Sequence, residues 1–378
     1  MGRKKRPSRA KRIFWCVFRR FFLVLFTVIV VAVAGAAILL NLIFNGPSTS
    51  ARTKLTMSMR ESSGMKWFPQ IFIGEEALAE IEKSTSVTLP EEISNSAQIK
   101  IDLSSSVEGA GDEWENHPEG IYIEEISGDT YNAYVMIIRD PSRVYQATSH
   151  LPFTESVPGT RITQAIEDEG AVAAINAGAF YDSGISGDPT VGSVPCGLVI
   201  AGGEVVFNAK HSDVPEKGFV GFNEDNVLVV AQSMTSTKAI ELKIRDGCEF
   251  GPVLIMNGHI NEEAYNDPSG LNPRTCMGQR ADGAVILLVI DGRQVSSFGG
   301  TYADAIDIMV EYGAVNACNL DGGSSSVMLY RDPETGIAEV VNSYSLLQKE
   351  PRRMPTFFMV APLKEESSPS KNSDINEA

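Results

Sequence analysis

Hydrophobic positions along this chain fall into three textures. Residues 21–44 are continuously apolar apart from Thr27 and Asn41, long enough for the ~20 residues that cross a bilayer and too long for the apolar core of a cleaved signal peptide. Residues 45–118 are polar and rich in Ser, Pro and acids, with short apolar islands; 75–83 has the spacing of a short helix with Ala77, Leu78 and Ile81 inward. From residue 120 the pattern changes to short apolar runs broken by turn residues. Strands are predicted at 133–138, 171–175, 197–200, 205–207, 219–222, 227–230, 253–256, 284–290, 315–320, 327–330, 338–341 and 356–360. Few helical segments intervene, so the expected class is α+β: a mixed, largely antiparallel sheet flanked by helices, preceded by one transmembrane helix. The expected organisation is a basic segment (1–20), the helix (21–44), a stalk with small docking elements (45–118), one main domain (119–362) and a polar, disordered tail (363–378).

The most informative stretch is 299–328. Thr301 followed by Asp304 has the form of a capping box, and Tyr302, Ala305, Ile306, Met309 and Val310 share one helical face. Gly313 is the expected helix stop. The strand that follows delivers Asn319 and Asp321 to the loop Gly322-Gly323-Ser324-Ser325-Ser326. An isolated Asp-Gly-Gly is commonly just a turn. Three serines and a further apolar run make this one a candidate anion site, because small residues leave backbone N–H groups uncovered. Residues 170–178 (G-A-V-A-A-I-N-A-G) echo residues 313–321 (G-A-V-N-A-C-N-L-D), each placing an Asn six residues beyond a helix-stopping Gly. Two such units suit a site shared by two strand ends.

Charge sharpens the compartment. The net charge is −16, yet residues 1–50 hold nine Lys/Arg and no acid, leaving 23 basic against 48 acidic residues, about −25, in the remainder. A basic flank before the apolar helix places the N-terminus in the cytoplasm and the body outside, at the cell surface. An acidic body excludes general nucleic-acid binding, which needs a basic face. The five cysteines form no C-x-x-C and no zinc-type cluster, and no disulfide pairs are assigned.

An acidic body must hold an anion with a few local donors. Arg274, after a proline-fixed backbone in N-P-R-T, is the leading anion clamp, since a guanidinium grips phosphate oxygens bidentately. Asn257 closes G-P-V-L-I-M-N-G, Arg293 follows Asp291-Gly292, and Arg352-Arg353 form a weaker source of positive charge.

These motifs in this order resemble the phosphodiester glycosidase family of the mannose-6-phosphate "uncovering enzyme", including bacterial membrane-anchored relatives. The likeness is carried by I-N-A-G-A-F (175–180), G-P-V-L-I-M-N-G (251–258), N-P-R-T-C-M-G (272–278), V-I-D-G-R (289–293) and N-L-D-G-G-S-S-S (319–326). Ala177-Gly178-Ala179 departs from the Gly-Gly-Phe-type sequence more usual there. The resemblance implies hydrolysis of a sugar-1-phosphodiester, GlcNAc-1-phosphate in type. Asp321, Arg274 and Asn319 would be catalytic, and Asn176, Gly178, Asn257, Thr275, Gly322, Gly323, Ser324, Ser325 and Arg293 would bind substrate. Asn176 and Asn319 would hold sugar hydroxyls or the acetamido group, and the amides of 322–325 the departing phosphate. A divalent cation, calcium or magnesium, on Asp291 and Asp321 is also open. Its expected partners are the bilayer and a carbohydrate phosphodiester. The alternative is a non-catalytic binding or assembly factor for phosphate-bearing surface polysaccharide.

Overall fold

A computed structural model describes residues 9–48, 52, 55–56, 59, 67–78, 81, 93–101, 103, 114–181, 191–209, 218–344 and 348–363. Helix α1 (Arg9–Asn45) contains the apolar segment Phe18–Asn45, 28 residues with mean hydropathy 3.0, long and apolar enough to cross a membrane. Its C-terminal end is not bare: Phe44 stacks on Phe72 at 5.0 Å and packs with Ile73, Leu78 and Ile81. Residues 75–78 and 81 are helical with Leu78 and Ile81 buried, as their spacing predicts; Lys83, the proposed end of that helix, and the tail from 364 lie outside the described residues.

The remainder is built from antiparallel sheets. Seven strands run in the order β1 (Ile121–Ser127), β2 (Asn132–Ile138), β14 (Val285–Ile290), β13 (Arg274–Arg280), β15 (Ala314–Leu320), β11 (Val253–Met256) and β12 (His259–Ile260). A second sheet holds β7 (Glu204–Asn208), β6 (Leu198–Ala201), β10 (Ile244–Glu249), β8 (Phe219–Asn223) and β9 (Leu228–Ala231). The third holds β17 (Ala338–Val340), β16 (Met328–Arg331), β5 (Ala173–Asn176), β19 (Thr356–Val360) and β3 (Val144–Thr148); β4 (Thr160–Arg161) pairs with β18 (Arg353–Met354). The expected single sheet is therefore several sheets, and every pairing among the described strands is antiparallel.

Alternation of side chains explains the layering. Met136, Ile138, Val285, Leu287, Val289, Met277 and Leu320 face inward against Val220, Phe222, Val230, Ile175, Phe358 and Val360 of the other two sheets, forming one continuous core. The neighbouring positions Val135, Ile137, Ile286, Leu288 and Ile290 point the other way, onto Ala305, Ile306, Ile308 and Met309 of α5 (Tyr302–Glu311). Helix α2 (Ile162–Glu169) covers the third sheet through Ile162, Ala165 and Ile166, and α3 (Ser236–Glu241) covers the second through Ala239. A fourth short helix, α4 (Glu262–Tyr265), lies beside α5.

The capping box is present: the Asp304 N–H donates to Thr301 Oγ1, and the Thr301 N–H donates to Asp304 Oδ2. Gly170 and Gly313 follow α2 and α5 with φ of 63° and 79°. Val310, expected inward, is 47 % exposed; Ile308 takes the buried place. Part of the stalk docks on the main body. Ile93 bridges Ala231 on the edge strand β9, and the Lys100 N–H donates to the Ala281 carbonyl, so residues 93–101 strap the end of the sheets where β15 begins.

Candidate active site

The register sets which chain ends meet. Arg274 pairs with Ile290 and Thr275 with Leu320, so the start of β13 and the ends of β14 and β15 lie at one edge of the seven-stranded sheet. The end of β5 joins them from the third sheet, because the Asp321 N–H donates to the Ala177 carbonyl at 3.1 Å. Asp321, the turn carrying Arg293 and the serine loop therefore share one end of the molecule.

The loop backbone explains its composition. A Cβ on Gly322 would lie 2.8 Å from the Pro273 carbonyl oxygen, closer than real Cβ atoms approach, so only glycine fits. Gly323 has φ +64°, and a Cβ there would stand 3.3 Å from both Arg293 Nη atoms. The Gly323 N–H donates to the Pro273 carbonyl, and residues Gly323–Ser325 make one 3-10 turn with the Ser325 N–H bonded to the Gly322 carbonyl. Two of the amides expected to face a phosphate, those of Gly323 and Ser325, are thus engaged within the fold.

Positive charge arrives from two sides. Arg293 lies over Gly323 and donates through Nη2 to Asn272 Oδ1 at 3.2 Å. Arg352 donates through Nη1 to Ser324 Oγ at 3.2 Å, with its guanidinium 4.6 Å from the centre of the Phe180 ring. Gln348 Nε2 donates to the Ser324 carbonyl at 3.2 Å. Of these, the sequence singled out Arg293 and Ser324, ranked Arg352 low and missed Gln348. A dibasic pair in an acidic body was the available signal for Arg352.

Several expected ligands are instead the scaffold of the loop. Asn176 is fully buried: its Nδ2 donates to the Asp321 carbonyl at 2.6 Å, and its Oδ1 accepts from Thr275 Oγ1 at 2.9 Å and the Val327 N–H at 3.2 Å. Thr275 is equally enclosed. Asn319 is 2 % exposed and donates to the Gly251 carbonyl at 2.9 Å. Enclosure leaves none of the three a face toward a sugar; they position the backbone. Ser325 is buried, and its hydroxyl, like that of Ser326, has no hydrogen-bond partner among the described residues. Gly178 packs against Cys248, where an added Cβ would meet its Sγ at 3.3 Å.

Arg274, the expected anion clamp, is 4 % exposed. Nε donates to the Gly300 carbonyl at 3.2 Å, Nη2 to Ser269 Oγ and the Gly270 carbonyl at 3.1 Å each, and the guanidinium lies 4.0 Å from the Tyr302 ring centre. It braces two loops and packs on the helix that caps the sheet. Asn257 is at the wrong end: its N–H donates to Asn316 Oδ1 and its Oδ1 accepts from the Asn95 N–H, beside the start of β15. Five residues along β15 separate Asn316 from Asp321, about 17 Å at ~3.4 Å per residue. A cleft of 210 Å³ bounded by Ile121, Val172, Tyr330 and Arg331 opens at the start of β5 and shares no residue with this site.

The Asp291 carboxylate is buried and faces donors. Its Oδ1 accepts from Asn342 Nδ2 at 3.0 Å, and both oxygens accept from the Ser343 N–H at 3.1 Å. Burial pushes its pKa up to about 6, against the opposing pull of those bonds. N–H groups suit a carboxylate and not a cation, which wants six or more oxygens around it. Among the described residues no group of three or more His, Cys, Asp or Glu converges. The N–H groups around Asp291 therefore do not fit the calcium or magnesium ion that the sequence left open there. Cys196, Cys248, Cys276 and Cys318 form no disulfide among the described residues, and burial raises the Cys276 thiol to about 12.

Comparison with known proteins bears on the family and the fold. The uncharacterized SPbeta prophage-derived protein YomE of Bacillus subtilis (strain 168) is 34% identical over 85 residues, 22% of this chain and 13% of that protein, so this chain spans a small part of that relative. The zebrafish N-acetylglucosamine-1-phosphodiester alpha-N-acetylglucosaminidase catalytic domain, auto-inhibited by its pro-peptide, superposes with a TM-score of 0.52 at 18% identity, covering 73% of this chain and 89% of that one. A hypothetical protein from Synechocystis aligns at 0.42 and 16% identity over 64% of this chain and 62% of its own. The first of these two structures supports the shared fold. The family model for phosphodiester glycosidase matches residues 169–361, from the last turn of α2 through β19 and the whole serine loop, and this chain belongs to that family.

Proposed function

We propose that this chain is a membrane-anchored hydrolase, working outside the cell, that cleaves a GlcNAc-1-phosphodiester of a surface glycan or glycolipid between the anomeric carbon and the phosphate oxygen. The observation that carries it is the approach of two guanidinium groups, Arg293 and Arg352, to the small-residue loop that follows Asp321. In that reaction a phosphomonoester leaves. It is a weak base, so its departure needs charge stabilisation more than a proton. Arg293 and Arg352 supply that charge at the oxygen where it develops. Asp321 takes a proton from the attacking water as oxygen bonds to the anomeric carbon, or stabilises the oxocarbenium-like transition state, as carboxylates do in glycoside hydrolysis. The water's oxygen ends on the sugar, and the bonding pair of the broken C–O bond leaves with the phosphate. Anchoring by α1 and the basic flank before it support an extracytoplasmic site.

The test is release of free sugar from the methyl diester of α-GlcNAc-1-phosphate by the purified full-length chain, with Asp321→Asn as control. Wild-type release abolished in a folded Asp321→Asn protein supports the proposal. Absence of turnover across a panel of sugar-1-phosphodiesters overturns it.

A further inference from the structure

We propose that Asn342 and Asn176 are a pair of positioning residues that clamp the two sides of the serine loop and register it against Arg293. The proposal rests on the reading of that loop as the floor on which a phosphodiester is held.

The loop leaves β15 after Leu320 and re-enters the sheets at Met328. Successive groups of an extended chain point in opposite directions, so one acceptor cannot take both of the amides at the re-entry. Two asparagines divide them. The Val327 N–H donates to Asn176 Oδ1 at 3.2 Å, and the Met328 N–H donates to Asn342 Oδ1 at 2.8 Å. Each then returns an N–H to a loop carbonyl: Asn176 Nδ2 to Asp321 at 2.6 Å, and Asn342 Nδ2 to Ser326 at 3.4 Å. A carboxamide offers an acceptor and two donors in one plane, which is what each of these places requires. Aspartate lacks the donors, and leucine lacks both.

Asn342 carries the further link. The same Nδ2 donates to Asp291 Oδ1, and the Asp291 oxygens also hold the Ser343 N–H. Asp291 directly follows β14 and lies two residues before Arg293. The exit of the loop and the root of the Arg293 turn are thus fixed to one carboxylate. The backbone near Asn342 is secured independently, since Leu329 pairs with Val340 and the Val341 N–H donates to the Met328 carbonyl. Losing the side chain should therefore loosen the loop without unpairing the strands.

A matched control lies within the same fold. Asn316 is also fully buried and two-sided, its Nδ2 donating to the Leu228 carbonyl at 3.1 Å and its Oδ1 accepting from Asn257, but at the far end of β15. Full-length Asn342→Ala and Asn316→Ala are compared on the methyl diester of α-GlcNAc-1-phosphate. Hydrogen exchange of a peptide covering residues 327–331 is read by mass spectrometry. Asn342→Ala should speed exchange in that peptide and lower kcat on the order of 10²-fold, the scale of a ~1 Å misplacement, with KM changed less than about threefold. Asn316→Ala should lower the melting temperature and leave both readouts near wild type. Unchanged exchange in Asn342→Ala, or equal losses of kcat in the two variants, overturns the clamp. If the wild-type chain turns over no sugar-1-phosphodiester, the proposed function falls by itself. The exchange result then decides the clamp alone.

Discussion

Arg274 separates two accounts of this site, and replacing it with methionine distinguishes them. If its guanidinium gripped phosphate, as the sequence suggests, Arg274→Met would destroy turnover and leave stability almost untouched. The structure gives the opposite expectation. Methionine keeps the unbranched stem against Tyr302 but removes the hydrogen bonds donated to Gly300, Ser269 and Gly270. Both carbonyls retain a second donor, since the Asn272 N–H also reaches Gly300 and Asn272 Nδ2 reaches Gly270, so each lost bond counts near the low end, ~1 kcal/mol. The stacked cation over Tyr302 adds ~1–2 kcal/mol in a buried setting, and relief from burying a charge offsets part of it. The sum is about 3 kcal/mol, a fall in melting temperature of roughly 10 °C for a domain of this size. Thermal melts followed by circular dichroism measure the first quantity. Sugar release well below the variant's melting point measures the second, which should stay within about tenfold of wild type. A melt within about 2 °C of wild type together with a hundredfold or larger loss of kcat would refute the bracing role.

Arg293→Ala and Arg352→Ala should each lower kcat/KM by ~10²–10³ in the same release assay, with small changes in melting temperature because both side chains are only half-buried; loss of stability without loss of rate would contradict this. Asp291 is predicted to make stability fall as pH rises. Its folded pKa of about 6 exceeds the ordinary carboxyl value of 3.8, so its contribution is complete below pH 3.8 and is lost as pH passes through 6, ~3 kcal/mol in all. Urea midpoints of wild type and Asp291→Asn between pH 4 and 7 test this, and a difference that stays constant with pH would count against it. Chelation with EDTA should leave sugar release within about twofold of the untreated enzyme, given the donors that face Asp291; a large loss restored by calcium or magnesium would show that an ion is required.

What could be read from the residues is what local patterns encode. Thr301, Asp304 and Gly313 specify a helix whatever surrounds them, and the inward row Ala305, Ile306 and Met309 follows from 3.6 residues per turn. Apolar runs such as 253–256 and 285–290 announced strands because every position in them is buried. Strand β10 escaped because Arg245, Asp246 and Gly247 interrupt its pattern. Those charges are tolerated only by tertiary partners: Arg245 pairs with Asp246, donates to the Pro141 and Val144 carbonyls and lies over Phe222. Strand β1 escaped because its exposed acids obscure the alternation. The site followed the same division. That the Asp-Gly-Gly-Ser loop needs small residues was legible from its composition. Which arginine faces it was not, because that depends on how the 291–300 and 348–355 segments fold back from distant parts of the sequence.

The echo between residues 170–178 and 313–321 acquires a physical meaning at this point. Both copies are a helix, a left-handed glycine and a central strand: β5 lies between β16 and β19, and β15 between β13 and β11. Each strand carries a buried asparagine near its end, and each asparagine donates to a carbonyl on another element, Asn176 to Asp321 and Asn319 to Gly251. A central strand is held by ladders on both sides, so its end is the most rigid place from which to fix a neighbouring loop. An exposed asparagine there would bind sugar but leave the loop free to drift. A buried one gives up the sugar and holds Asp321 in place. The repeated unit is therefore better understood as a device for positioning the backbone of the site, and under the proposed function direct recognition of the substrate falls to the side chains that arrive from loops, Arg293 and Arg352 first among them.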